Sequence, residues 1–223
     1  MLFRSTSQTS TIRQSATAGY GGVGGGDMPN SGISQARVDQ RAADNSSLIE
    51  QTGASTFAYL LQEGERNQST ITQSGDTAIL GAYQGGDDNV SVITQSGYVN
   101  NYTSLAFFAE VGSRQIGDRN FSQIVQDGEW DGVADLSFAN TVRMRQFGDD
   151  NISYIDQAGI NPQATMIQSG NFNNSDIDQA GTGSIAYVEQ IGSGNGSIID
   201  QLDPAGSGNS ASATQSGDDG FSR

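Results

Sequence analysis

The chain has 223 residues, with 10 arginines and no lysine against 25 Asp and Glu, a formal charge of −15, and neither Cys nor His. This excludes a disulfide framework, a Cys/His zinc site, a thiol nucleophile and a His-based triad, and it lacks the clustered cations that nucleic-acid phosphates require. Gln, Asn and Ser number 21, 15 and 28 while apolar residues make up 34%, a balance typical of chains that cannot bury enough surface to fold.

No run approaches 18 apolar residues, so no membrane-spanning helix is expected. The N-terminus is polar, with Arg4 and no apolar stretch of the kind an export signal carries. Residues 1–32 read as a flexible, Gly-rich leader, although Ser10, Ile12 and Gln14 resemble a stray repeat arm. Gly19, Gly21 and Gly24 satisfy G-x-G-x-x-G, but no strand precedes them and no amphipathic helix follows, so no dinucleotide site is expected.

From residue 33 the order changes. Glutamine recurs at Gln40, Gln51, Gln62, Gln73, Gln84 and Gln95, then at Gln115 and Gln126. After a further gap come Gln146, Gln157, Gln168, Gln179, Gln190 and Gln201, and Gln215 closes the series fourteen residues later. The usual spacing of eleven is a half-period. One half reads Asn-x-Ser-x-Ile-x-Gln-x-Gly, starting at Asn45, Asn67, Asn89, Asn120, Asn151 and Asn173, and again at Asn195 without its Gly, and Asn209 is assigned to the same asparagine series. The other half is small-x-aliphatic-x-Gln-x-Gly, as in Ser184-Ala186-Val188-Gln190-Gly192. The unit is therefore 22 residues, with about seven copies up to residue 201, a decayed copy at 202–217 and a tail at 218–223.

Alternation at every second residue is the strand period. Asn, Ser, Ile, Gln and Gly of one arm share a face, and Glu50, Thr72, Thr94, Asp156, Asp178 and Asp200 point the other way. The expected fold is all-β: a β-solenoid of stacked strand–turn–strand–turn repeats over 33–217, with two parallel in-register sheets, amyloid-like. Its core aliphatics are Ile49, Leu60, Ile71, Ile93, Val111, Ile124, Val142, Ile155, Ile177, Val188 and Ile199. A single unit holds too few of them to offset the entropy of ordering 22 residues, so units must stack. Stacking brings identical side chains together, and each buried amide then donates to one copy and accepts from the other.

The Asn-x-Ser sequons come from the repeat, and their Asn faces inward, away from a glycosylating enzyme. Asp87-Asp88, Asp118 and Asp149-Asp150 sit in turns, and Asp156, Asp178 and Asp200 form an outward column. These acids could attract a divalent cation, but a solvated face whose charge discourages side-by-side aggregation is the preferred reading; no metal and no cofactor are expected. Enlarged units at 98–114 and 129–145 carry loops near 98–106 and 129–137, with Tyr98, Tyr102, Phe107, Phe108, Trp130 and Phe138 in or beside them. These form either an adhesive patch or an insertion packed on itself. Inward positions offer no acid–base pair, so the chain is not expected to be an enzyme.

Ser-x-Ala-x-Val-x-Gln-x-Gly followed by Asn-x-Ser-x-Ile-x-Gln, at 184–201, resembles the curlin repeat of bacterial curli subunits. The likeness covers roughly residues 33–217, with Gly19–Gly26 where curlins carry a Gly-rich secretion segment. It implies an extracellular functional-amyloid homopolymer serving biofilm matrix and adhesion, with a secretion pore, a nucleator and a chaperone as partners. The chain departs from curlins in lacking Lys, His and a signal peptide, and in having more repeats and two enlarged units. A monomeric solenoid binding ice or glycan is the alternative, disfavoured by the irregular outward run Thr72, Thr94, Val125, Asp156. A nucleator rather than a main subunit is the other.

Overall fold

The computed structural model describes residues 8–14, 35–52, 56–74, 76–100, 112–128 and 140–223. All regular structure in them is strand. The first nine strands are β1 (Thr9–Gln14), β2 (Gln35–Arg41), β3 (Ser46–Gln51), β4 (Phe57–Glu63), β5 (Gln68–Gln73), β6 (Asp76–Gly85), β7 (Val90–Asn100), β8 (Gly112–Ile116) and β9 (Phe121–Gly128). They are followed by β10 (Thr141–Phe147), β11 (Ile152–Ile160), β12 (Gln163–Ser169), β13 (Asn174–Thr182), β14 (Ile185–Ile191), β15 (Gly196–Ser207), β16 (Ser210–Ser216) and β17 (Phe221–Ser222).

The chain alternates between two parallel sheets. Odd-numbered strands stack β1-β3-β5 through to β17, and even-numbered strands stack β2-β4 through to β16. This is the β-solenoid that the period of eleven predicts. Register is set by the side chains on the inner face: Ile49, Ile71, Ile93, Ile124, Ile155, Ile177 and Ile199 form one column. In β3, Ser47, Ile49 and Gln51 are buried while their neighbours face outward. A slip by one residue would move this whole set into water, so register is fixed.

Facing the isoleucines are two columns of the even sheet. One holds Ala58, Leu80, Val142, Ala164 and Ala186; the other holds Leu60, Ala82, Met144, Met166 and Val188. In β4 the small residue precedes the large one, and in β6 the order reverses (Leu80, then Ala82), which keeps the filled volume nearly constant. Leu60 and Val188 share a column, whereas Val142 lies in the adjacent one; Met144 and Met166 are core residues that the pattern passed over. Val111 lies outside the described residues.

The repeat is longer than the sequence suggests. Thr9–Gln14, expected within the leader, forms β1 and pairs in register with β3, because Ser10, Ile12 and Gln14 match Ser47, Ile49 and Gln51. Phe221–Ser222, expected within the tail, forms β17 on β15. Residues 98–100, expected within a loop, continue β7, with Tyr98 and Asn100 paired to Asp76 and Ala78. Tyr102, Phe107, Phe108, Trp130 and Phe138 lie outside the described residues. Strand β15 runs through Pro204: its register slips between Ala180 and Thr182, so that Thr182 pairs with Ser207. The slip absorbs three extra residues, which is the step from eleven to fourteen before Gln215.

Corners impose the glycines. Gly86 has φ +102°, and a Cβ placed there would collide with the carbonyl oxygen of Gly117 in the next layer. Only glycine allows this backbone conformation and this approach together.

Candidate functional site: amide ladders and open sheet edges

Two glutamine ladders run the length of the slab. In the odd sheet each Nε2 donates to the next Oε1 from Gln14 through Gln51, Gln73, Gln95, Gln126, Gln157 and Gln179 to Gln201, at 2.6–3.0 Å. In the even sheet the ladder runs from Gln40 through Gln62, Gln84, Gln115, Gln146, Gln168 and Gln190 to Gln215, at 2.8–3.1 Å. From Gln51 to Gln190 every ladder glutamine is fully buried. The same Nε2 carries a second hydrogen, and in many layers it donates across the slab to a main-chain carbonyl of the other sheet. Gln84 reaches Gln68 at 2.9 Å, Gln115 reaches Val90 at 3.0 Å and Gln146 reaches Phe121 at 2.9 Å. The period of eleven places the ladders but not these cross-links, because the distance between the sheets is not written in the spacing.

The asparagines close one corner. The Oδ1 of Asn67 accepts the main-chain N–H of Asn89 at 3.0 Å, while its Nδ2 donates to the carbonyl of Gly86 at 2.7 Å. The same arrangement serves Asn45, Asn89, Asn120, Asn151, Asn173 and Asn195. Asn209 is not among them. After Asn195 the column continues with Gly220, whose N–H donates to Asn195 Oδ1 at 3.0 Å. Asn209 precedes β16 and stacks instead on Ser184, at the opposite corner, which carries Thr56, Ala78, Asn140, Pro162 and Ser184. That mixed column cannot pair with itself, and Thr56 Oγ1, Asn140 Nδ2 and Ser184 Oγ are buried without partners.

Charge is also arranged in columns. Asp44, Arg66, Asp88, Arg119 and Asp150 occupy one left-handed turn position, φ 57–59°, with alternating sign. Arg66 binds Asp88 through two bonds of 2.7 and 2.8 Å, and Arg119 binds Asp150 through two of 2.7 Å. These hydrogen bonds, then the charges, hold both carboxyls below the usual carboxylate range. The turn acids expected to be merely solvated do more: Asp87, Asp118 and Asp149 accept the main-chain N–H of Glu65, Asp87 and Asp118 at 2.7–2.9 Å. On the odd sheet, Asp156, Asp178 and Asp200 stack as an outward column with Asp176 beside it. Partial burial first, and neighbouring carboxylates second, push Asp156, Asp176 and Asp178 up. Among the described residues no group of three or more acids is placed to hold a metal ion.

The slab ends differ from its interior. Gln40 and Gln215, in the terminal even layers, are only half-buried. Ile199 and Gln201 are 7% and 8% exposed, against 0% for Ile177 and Gln179 one layer in. Comparison with protein-family models, curated proteins and solved structures gives no match in any of the three.

Breaking a ladder should be costly. Gln126→Leu leaves the Gln95 Nε2 and the Gln157 Oε1 each without its ladder partner, at roughly 1–3 kcal/mol per buried group. Urea unfolding followed by circular dichroism should show a loss of about 2–6 kcal/mol, and a loss under about 1 kcal/mol would contradict the pairing.

The acidic column makes a separate prediction. A carboxyl whose pKa is raised on folding favours the folded state below its unfolded pKa, and this contribution is lost as pH rises through the folded value. Asp88 and Asp150 act in the opposite sense and lose their contribution on acidification. Asp178→Asn should therefore raise the urea midpoint at pH 7, and the gain should disappear below about pH 4, the ordinary carboxylate range. An equal gain at pH 7 and pH 3 would rule out repulsion as its cause.

Proposed function

We propose that this chain is the self-assembling subunit of an extracellular functional-amyloid fibre of the curli type, serving biofilm matrix and adhesion. The observation that carries this reading is the state of the two slab ends, where the columns that join layers inside the chain reach the edge of each sheet. A solenoid that stays monomeric needs polar capping elements. Among the described residues β1, β2 and β16 carry the interior pattern to the slab ends, so another copy can add by the same backbone bonds and amide pairs. The inner columns are Asn, Ser, aliphatic, Gln and Gly, an assortment suited to stacking and not to acid–base catalysis. The likeness to the curlin repeat adds the extracellular setting and the pore, nucleator and chaperone.

Purified protein at neutral pH should convert to fibres visible by electron microscopy; persistent monomer would refute the reading. A second test uses Gly217. A Cβ at Gly192 would strike the carbonyl of Gly217, but at Gly217 no atom lies within 4 Å, because it occupies the last layer of its corner. Gly217→Ala should leave the monomer folded apart from local φ strain. Elongation should slow roughly tenfold or more, the effect of about 1–3 kcal/mol of overpacking at the junction. Elongation at the wild-type rate would mean that nothing stacks on that end.

A further inference from the structure

Resting on the fibre reading, we infer that successive copies join by strand exchange at one layer: β1 of one copy seats on the free edge of β15 of its neighbour and takes the place of β17. Among the described residues the even sheet has eight layers, β2 to β16; the odd sheet has eight from β3 to β17 and a ninth in β1, on the outer side of β3. If the even sheets of two copies join without a gap, β2 of the incoming copy lies one layer beyond β16. Its β3 then lies two layers beyond β15, and its β1 falls in the layer of β17. Stacking β1 as an additional layer would instead open a gap in the even sheet, leaving a row of backbone groups unpaired.

The two strands are unequal competitors. β17 pairs with β15 over Phe221 and Ser222, with two hydrogen bonds of the Gly220 main chain beside them, and Phe221 is 68% exposed. β1 brings six residues already in register with β3, so its docking edge is pre-ordered. Its side chains fit the columns of β15. Ser10, Ile12 and Gln14 continue those of Ser197, Ile199 and Gln201, and they cover the isoleucine and glutamine that remain partly exposed there. The charges also agree. The outward column Asp156, Asp178, Asp200 meets Arg13, the residue of β1 in that column, which binds Glu50 at 2.6 Å in its own chain. Docked, Arg13 lies between Asp200 of one copy and Glu50 of the other.

The chain has no cysteine, so an introduced pair reports on itself alone. In fibres of Arg13→Cys/Asp200→Cys, grown from wild-type seeds, the two positions occupy adjacent layers at roughly 4.8 Å, within disulfide reach. Within one copy they are seven layers apart, roughly 34 Å. Oxidised fibres should give a covalent ladder of multimers on a denaturing gel. Arg13→Cys/Asp178→Cys, two layers apart at roughly 10 Å, should give none. Ile12→Asp, at a position 43% exposed in the single copy, should leave monomer circular dichroism unchanged and slow seeded elongation about tenfold or more, since it buries a carboxylate at the junction. Fibres that form without a ladder from the Asp200 pair, or with an equal ladder from the Asp178 pair, or that elongate normally with Ile12→Asp, overturn the exchange and leave the fibre reading standing. Failure of the wild-type chain to form fibres overturns both.

Discussion

A glutamine buried in this slab has both a donor and an acceptor to satisfy, and its partner must lie one layer away. A side-chain amide left unpaired in an apolar interior costs more than burying its methylenes returns. The cost disappears only if the same residue stands at the same point of the next layer. That condition fixes the in-register parallel sheets, the identity of the inner columns and the return of the chain to its starting azimuth after each coil. The isoleucines and alanines fill the volume between the ladders, and the amides determine which layer lies on which.

The same constraint explains what the repeat tolerates. Between Gln84 and Gln115, and again between Gln115 and Gln146, the coil takes 31 residues instead of 22, yet the ladder bonds remain 3.0 Å. The last coil takes 25, and the bond from Gln190 to Gln215 is 2.8 Å. Length added outside the columns leaves the pairing intact, whereas a side chain at a glycine corner would block the next layer. At the turns the problem is electrostatic, since stacking places like charges a layer apart. The chain meets it by alternating sign along Asp44, Arg66, Asp88, Arg119 and Asp150, and by giving Asp87, Asp118 and Asp149 main-chain N–H groups to accept. Asp156, Asp178 and Asp200 have neither arrangement, and partial burial together with the neighbouring carboxylates raises the pKa of Asp156 and Asp178.

Most of the fold was legible because the fold is periodic. Spacing alone located the glutamines, the isoleucine column and the solenoid. It failed where periodicity weakens or where the third dimension enters. β1 reads as leader because twenty residues separate it from β2, a gap that breaks the linear period but not the pairing at a sheet edge. Met144 and Met166 fall outside the aliphatic pattern because methionine is not β-branched, although it fills the same column as Leu60 and Val188. Asn209 matches the asparagine series by residue type, but its column is set by the corner it occupies. The bonds from the glutamines across the slab depend on how closely two sheets approach, a quantity that packing decides and the linear order does not encode.

The central claim is that side-chain amides, and not apolar contact alone, hold the layers in place. Side-chain NH2 exchange, resolved by NMR, tests it most directly. Gln95 and Gln126 should exchange only with global unfolding, orders of magnitude more slowly than the outward-facing Gln68 and Gln163, which share the chain and the solvent but not the ladder. Exchange of Gln95 and Gln126 at the rate of Gln68 and Gln163 would contradict the account.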